Sequence, residues 1–478
     1  MSGSLARAMA QTLGGGAAVA GVSFLRNVLI ARVMGAAAFG LWNVCLVAQK
    51  IATESHLGAL SAVAVDSPIE RGADHGAAAD RIERDGATLT LLLGVVAGAV
   101  SALVLRWIGG PALDTAALLL AVSVVMQQEF FAAATILRAR RRFGGLPVGQ
   151  GLFAAIYIVG LLWLLPTYYV SGVLAAGSVA LAVALVAVYR HTPQAVPFPR
   201  LPSPARAFAL IRRGLPIYMV QLTLVLLLQA DRVVVGAALG SEALGHYGVL
   251  VIGGSALLFV PDAFSSVLWP FASESYGRHR RDAAVLGPLS VAAVTNLSLL
   301  LLGGLPFTLV ATDALVAHVL PQYAGALPAV RPYLAGLFPL AIALPLRNVL
   351  VTVGASGRLL RLQTVLLVLL VVLQISAAVN GLGIVGVAWT GAIVWTLLLA
   401  AFLSILRSTG VLTGREVATA ALHTVLACAA ALAVDAALDI GTPAIDTLAG
   451  LGARAGVTGC LALAMAVLVV QRTRGRPT

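Results

Sequence analysis

Long apolar runs alternate with short polar breaks along almost all of the 478 residues. About twenty consecutive apolar residues cross a bilayer as a helix. Taken in order, the runs predict spans at 10–33, 40–63, 87–107, 115–137, 146–165, 170–189, 215–238, 244–270, 285–308, 327–354, 362–380, 384–406, 417–438 and 448–471. The pattern is that of an all-α polytopic membrane protein with 14 transmembrane helices. Within 327–354, Pro339 and Pro345 mark where a break would fall, because proline removes a backbone donor and clashes with the preceding turn.

One stretch repeats. Residues 215–245 read LPIYMVQLTLVLLLQADRVVVGAALGSEALG, an apolar run that carries Asp231 and Arg232 in its second half. Near the N-terminus the chain reads FLRNVLIARVMGAAAFGLWNV. Both copies lead from a charge through aliphatic residues to a Gly-x4-Gly turn, Gly35 and Gly40 in the first, Gly240 and Gly245 in the second. The offset is 205 residues, close to half the chain. Two homologous halves follow, each opening on a polar-marked helix and a tight external turn. With an even helix count in each, both enter the membrane from one side, as parallel repeats do.

Composition sharpens this picture. Hydrophobic residues make up 60% of the chain and charged ones 10%, against roughly 25% in soluble domains. No charged leader, short apolar core and small-residue cleavage site precede the first run, so that helix is expected to stay. The net charge of +12 does not point to nucleic acid: the arginines sit between apolar runs, where they set topology. Most of the 31 basic residues fall at the N-terminus and in every second loop, which predicts both termini on the cytoplasmic side of the membrane. Cys45, Cys428 and Cys460 all lie in apolar segments and are expected as small core residues.

The longest predicted cytoplasmic link, Arg190 to Gly214, contains Pro193, Pro197, Pro199, Pro202 and Pro204, then an interfacial amphipathic helix over 205–213. It divides the chain into an N-lobe, 1–192, with six helices; a linker, 193–214; a C-lobe, 215–410, with six more; and two final helices with a basic tail, 411–478. The last two spans carry no charge in their apolar centres and are expected to face lipid.

Several stretches in order resemble the polysaccharide transporter family of the multidrug/oligosaccharidyl-lipid/polysaccharide (MOP) exporter superfamily, the Wzx-type flippases. They are Leu25 through Gly40, Ile136 through Phe143, Leu215-Pro216, Asp231 through Tyr247, Trp269 through Tyr276, Leu320 through Tyr323, and Gly383 through Trp389. The resemblance implies two pseudo-symmetric six-helix lobes around a central cavity. It implies flipping of undecaprenyl-diphosphate-linked oligosaccharide for cell-surface polysaccharide assembly by alternating access, with membrane lipids and a polysaccharide polymerase complex as further partners. The peptidoglycan-precursor flippases of the superfamily show an Asp-Ala-Phe pattern after the first helix, where this chain has Phe39-Gly40-Leu41. Its drug-extruding branch usually has twelve helices.

Such a cargo needs fixed cations for its diphosphate and amides for its sugars. Arginine pairs bidentately with phosphate and holds its charge at any relevant pH. The candidate substrate-binding residues are Arg26, Lys50, Arg232 and Arg347, with Gln229 and Gln49 as amides. Lys50 and Glu54 stand at i, i+4 and are placed to pair. Glu54, Glu129, Asp231 and Asp262 are candidates for coupling to H+ or Na+; no other cofactor and no metal site is expected. Asp231 and Arg232, about 100° apart on a helix, cannot reach one partner, so one is expected to face a cavity and the other a neighbouring helix. Each amide serves equally well as an interhelical tie. Trp42, Tyr157 and Tyr247 are expected as interface anchors. Arg138 through Arg142 reads as a topology and anionic-lipid signal. A glycan polymerase or ligase would want a large outer loop with catalytic groups, and the outer loops here are short, so an enzyme is not expected.

Overall fold

The computed structural model describes residues 21–72, 75–140, 145–191, 201–279, 282–441 and 447–474. It is all-helical over these residues. Helix α1 covers 21–33. There follow α2 (Ala36–Thr53), α3 (Ala59–Gly72), α4 (Gly76–Gly109), α5 (Asp114–Ala139), α6 (Gly145–His191) and α7 (Pro204–Ala238). The second half holds α8 (Gly240–Arg278), α9 (Gly287–Ala314), α10 (Leu327–Thr352), α11 (Ser356–Val379), α12 (Gly383–Ser408), α13 (Gly414–Gly441) and α14 (Leu448–Arg474). Among the described residues, twelve helices are long and apolar enough to cross a membrane, so this is a multi-pass membrane protein. Residues 10–20 of the first expected span, and Pro193, Pro197 and Pro199 of the linker, lie outside the described residues.

Several expectations change in detail. Helix α6 is one assignment of 47 residues, but Tyr169 inside it has φ 45° and ψ −123°. Its two arms fold back antiparallel: a Cβ on Gly172 would overlap the Leu164 carbonyl, and a Cβ on Gly160 would meet that of Ala176 at 3.0 Å. The arms are the expected spans 146–165 and 170–189, joined by almost no loop. Pro339 and Pro345 do not break α10, which runs unbroken from Leu327 to Thr352. Neighbouring packing holds such a helix together where its own hydrogen bonds are lost. The real break is in the second expected span, where residues 54–58 leave the helix between α2 and α3. Cys45 is buried as expected, but Cys460 is exposed. Trp42 and Tyr247 are 2% and 1% exposed, and Tyr157 is buried too, so all three are packed among helices and are not interface anchors.

The chain forms two compact units, one of residues 41–229 and one of residues up to Gly40 together with Ala230 onward. In the first, α4 packs on α3 and α5, and α5 on α6. In the second, α10 packs on α8, α9 and α12, while α13 and α14 pack on α9. That second unit also holds the repeat. A Cβ on Gly40 would overlap the Ser241 carbonyl, and a Cβ on Gly245 would overlap that of Ala36. Residues 36 and 241 are themselves 205 apart, as are 40 and 245, so the two turns meet reciprocally, backbone to backbone. Only glycine allows so close an approach. Tyr323 closes the end of α1, its hydroxyl donating to the carbonyls of Ala31 (3.0 Å) and Met34 (2.8 Å).

Candidate functional site

Each unit contains a polar cluster among apolar helices, and the two are built differently. Of the predicted site residues, Arg26, Asp231, Arg232, Asp262 and Arg347 belong to the unit from Ala230, which includes α1; Gln49, Lys50, Glu54, Glu129 and Gln229 belong to the other.

In the unit from Ala230, α7 carries Asp231 and Arg232, and two tyrosines receive them. The Tyr247 hydroxyl on α8 donates to Asp231 Oδ2 at 2.9 Å, and Asp231 Oδ1 accepts from the Arg232 backbone N–H at 2.8 Å. Arg232 hydrogen-bonds Tyr333 on α10. The two phenol rings pack edge to face, centroids 5.4 Å apart. Adjacency in sequence sends the two charges in different directions, and each meets a neighbouring helix. Hydrogen bonds to charged groups contribute roughly 1.5–3 kcal/mol each, which offsets part of the cost of charge at this depth. The quartet therefore sets the Arg232 guanidinium and the Asp231 carboxyl side by side, each with a phenol partner on a neighbouring helix. Elsewhere in this unit Arg26 donates to Asn27 Oδ1 at 3.2 and 3.0 Å. Arg347 is half-buried, beside Asn348, which reaches the Ser265 carbonyl at 3.5 Å. Asp262 is exposed on α8.

In the other unit the cluster surrounds the break between α2 and α3. Gln128 on α5, fully buried, donates to the Ala52 carbonyl (2.5 Å) and to Ser55 Oγ (2.7 Å). Gln49 donates to Ser123 Oγ at 2.7 Å, so both amides act as ties between helices. Glu54 lies 3.8 Å from His56 Nε2, and the His56 ring packs on Tyr218 of α7 at 5.2 Å. Lys50, one turn before Glu54, is exposed. Glu129 is half-buried, with Oε1 closed off from solvent, and Gln229 is 7% exposed.

Two ion-pair networks were not legible from the sequence. Glu83, fully buried on α4, accepts from Ser67 Oγ (2.5 Å), Arg71 Nη2 (3.0 Å) and Arg140 Nε (2.7 Å). Arg71 and Arg140 also reach Asp80, at 2.7 and 3.0 Å. The Asp80 hydrogen bond, more than the nearby Glu83, holds the Arg71 guanidinium pKa above its ordinary value. Arg140, taken from sequence as a topology signal, thus ties α5 to α4. In the other unit Arg331 on α10 reaches Asp435 (2.9 Å) and Asp439 (2.5 Å) on α13 and Asp313 (3.9 Å) on α9. Arg454 on α14 takes Asp439 from its other side at 2.5 Å. The final helix pair is clamped to α9 and α10 at one end, although its apolar faces remain exposed. Opposite charges about a hundred positions apart, such as Arg331 and Asp435, give a sequence reader no pairing signal.

This architecture, apolar helices carrying buried charge on broken and unbroken spans, has known counterparts. The chain is similar to an inward-facing multidrug resistance MATE family transporter of the MOP superfamily, with a TM-score of 0.67, 16% identity, and coverage of 84% of this chain and 95% of that one. An outward-facing transporter of the same description matches with a TM-score of 0.59, 17% identity, and coverage of 87% and 96%. A MOP superfamily transporter from Pyrococcus furiosus, described as having a binding pocket of reversed polarity, matches with a TM-score of 0.60, 14% identity, and coverage of 90% and 96%. At these identities the likeness defines the fold, which is that of MATE family transporters. No protein-family profile and no curated sequence matches the chain.

Proposed function

We propose that this protein is an alternating-access transporter that flips an undecaprenyl-diphosphate-linked oligosaccharide across the bacterial inner membrane. The observation that carries the reading is Arg232, a permanent cation set among tyrosines inside an apolar helix. Its fork suits a diphosphate, and phenols suit the hydroxyls of a sugar. Arg26, on the matching helix of the first repeat, supplies a second cation. The fold occurs in both inward-facing and outward-facing forms among its neighbours, which supports alternating access. Reversed pocket polarity in one neighbour supports a change of cargo sign on this fold.

Fourteen spans fit the reading. The twelve membrane-length helices become thirteen when α6 is divided at Tyr169, and the expected first span at 10–33, of which α1 describes residues 21–33, is the fourteenth on this reading. Both termini are then cytoplasmic, in accord with the arginine-rich loops.

A multidrug exporter is the second reading, favoured by the multidrug transporters among the structural neighbours and by the carboxylates Asp231 and Glu54. Binding separates the two. Purified protein is titrated with an undecaprenyl-diphosphate oligosaccharide and with a neutral polyprenyl glycoside, comparing Arg232→Ala and Arg26→Ala at matched folding. The flippase reading expects the diphosphate lipid to bind more tightly, by at least about tenfold, with both variants losing that preference. Equal binding of the two lipids, or preference for organic cations, overturns it.

A further inference from the structure

The break between α2 and α3 is a backbone turn that a histidine holds shut. His56 is 8% exposed, and its Nδ1 accepts from the Gly58 backbone N–H at 3.1 Å. A ring nitrogen that accepts carries no proton, so the neutral ring keeps its proton on Nε2, on the side of Glu54. The turn itself adopts a conformation that side chains disfavour: Leu57 has φ 48° and Gly58 has φ 92°. A Cβ on Gly58 would sit 2.6 Å from the carbonyl carbon of Gly214, so the turn is seated on the start of the membrane part of α7.

We propose that His56 is a proton-binding site whose occupation opens this turn. A proton arriving from water can bond only at Nδ1, whose lone pair holds the Gly58 N–H, because Nε2 already carries a proton. It then displaces the Gly58 N–H, which loses its acceptor, and the imidazolium gains Glu54 as counter-charge. Leu57 is released from its left-handed conformation, and the α2–α3 junction changes shape. The groups facing His56 are Glu54 from the break and Tyr218 from α7. The other charged groups on the helices around the break include the exposed Lys50 of α2, Glu129 of α5, and the pair Arg213–Asp66 (3.4 Å) between α7 and α3. Gln128 braces the other side of the break and does not titrate.

The inference rests on the transport reading only for what the proton would drive. The test therefore uses cargo-free, full-length protein in nanodiscs. Hydrogen exchange is followed over peptides covering residues 52–60 at about pH 8 and about pH 3.5, with rates scaled for the intrinsic pH dependence of exchange. The wild type is expected to lose about tenfold of the Gly58 protection at the lower pH, the effect of one lost hydrogen bond. His56→Asn places an amide oxygen where Nδ1 stood, accepts the same N–H and cannot titrate, so it should stay protected at both pH values. Glu54→Gln should move the loss to lower pH. Equal wild-type protection at both values, or an equal loss in His56→Asn, overturns the proposal. Should His56→Asn fail to fold, nitrogen NMR of labelled histidine in the wild type decides, since a protonated Nδ1 at about pH 8 contradicts the turn.

Discussion

The two polar clusters meet the same physical demand by opposite routes. Around Asp231 and Arg232 the helix is continuous, so the backbone satisfies itself and only the side-chain charges need partners, which Tyr247 and Tyr333 provide. Around residues 54–58 the helix is interrupted, so backbone groups are what need partners. Gln128 takes the Ala52 carbonyl and His56 takes the Gly58 N–H. An apolar surround tolerates either charge or a broken backbone, provided that each exposed group is bonded. A charge held by phenols on intact helices is a fixed electrostatic feature. A turn held by a titratable ring is an adjustable one.

Substitutions can test the contrast, starting from the largest effect. Gly58→Val meets both a positive φ and the Gly214 backbone, and should cost more than about 4 kcal/mol, enough to abolish a monodisperse peak on size exclusion. Gln128→Leu removes two hydrogen bonds, while the Ala52 carbonyl keeps the Ser55 N–H (3.0 Å) and Ser55 Oγ (2.6 Å), so thermal unfolding in detergent should show a loss of about 1–3 kcal/mol. Tyr247→Phe should cost about 1–3 kcal/mol, and much of that should vanish in an Asp231→Asn background, where the double-mutant cycle reports the pair. Gly236→Ala, one turn past Arg232 on the continuous helix, meets only the end of the Leu244 side chain at 3.1 Å and should change stability by less than about 1 kcal/mol. If Gly236→Ala proved as damaging as Gly58→Val, the distinction between continuous and broken spans would fail.

Much of the fold was legible because hydrophobicity is a local property. The apolar runs from the third onward reappear as helices, the second is split into α2 and α3, and the 205-residue repeat reappears as the reciprocal contact of Gly40 and Gly245. Helix ends were less so. Helix α4 begins at Gly76, well before the apolar run at 87, because a polar segment carrying Asp80, Glu83 and Arg84 continues the helix past the bilayer edge. The break at 54–58 was hidden inside a run that is apolar on average. Its trace was the cluster Glu54, Ser55, His56 and Gly58, of which only Glu54 stood out as a candidate in the sequence, as a partner for Lys50 and for ion coupling. Asp231 and Arg232 were found because charge stands out in an apolar helix; Tyr333, Tyr218 and the Arg331 network were not, since their partners lie far away in the chain.

The turn at Tyr169 also governs how the chain enters the membrane during synthesis. The arms of residues 145–165 and 170–191 leave no slack between them: Gly172 already lies against Leu164. A first arm threaded alone would hold its successor's opening residues at the far surface with no loop to park them. The two arms must therefore be delivered as one hairpin, and a ribosome pausing after residue 165 would leave a single helix without the neighbour against which Gly160 and Tyr157 pack.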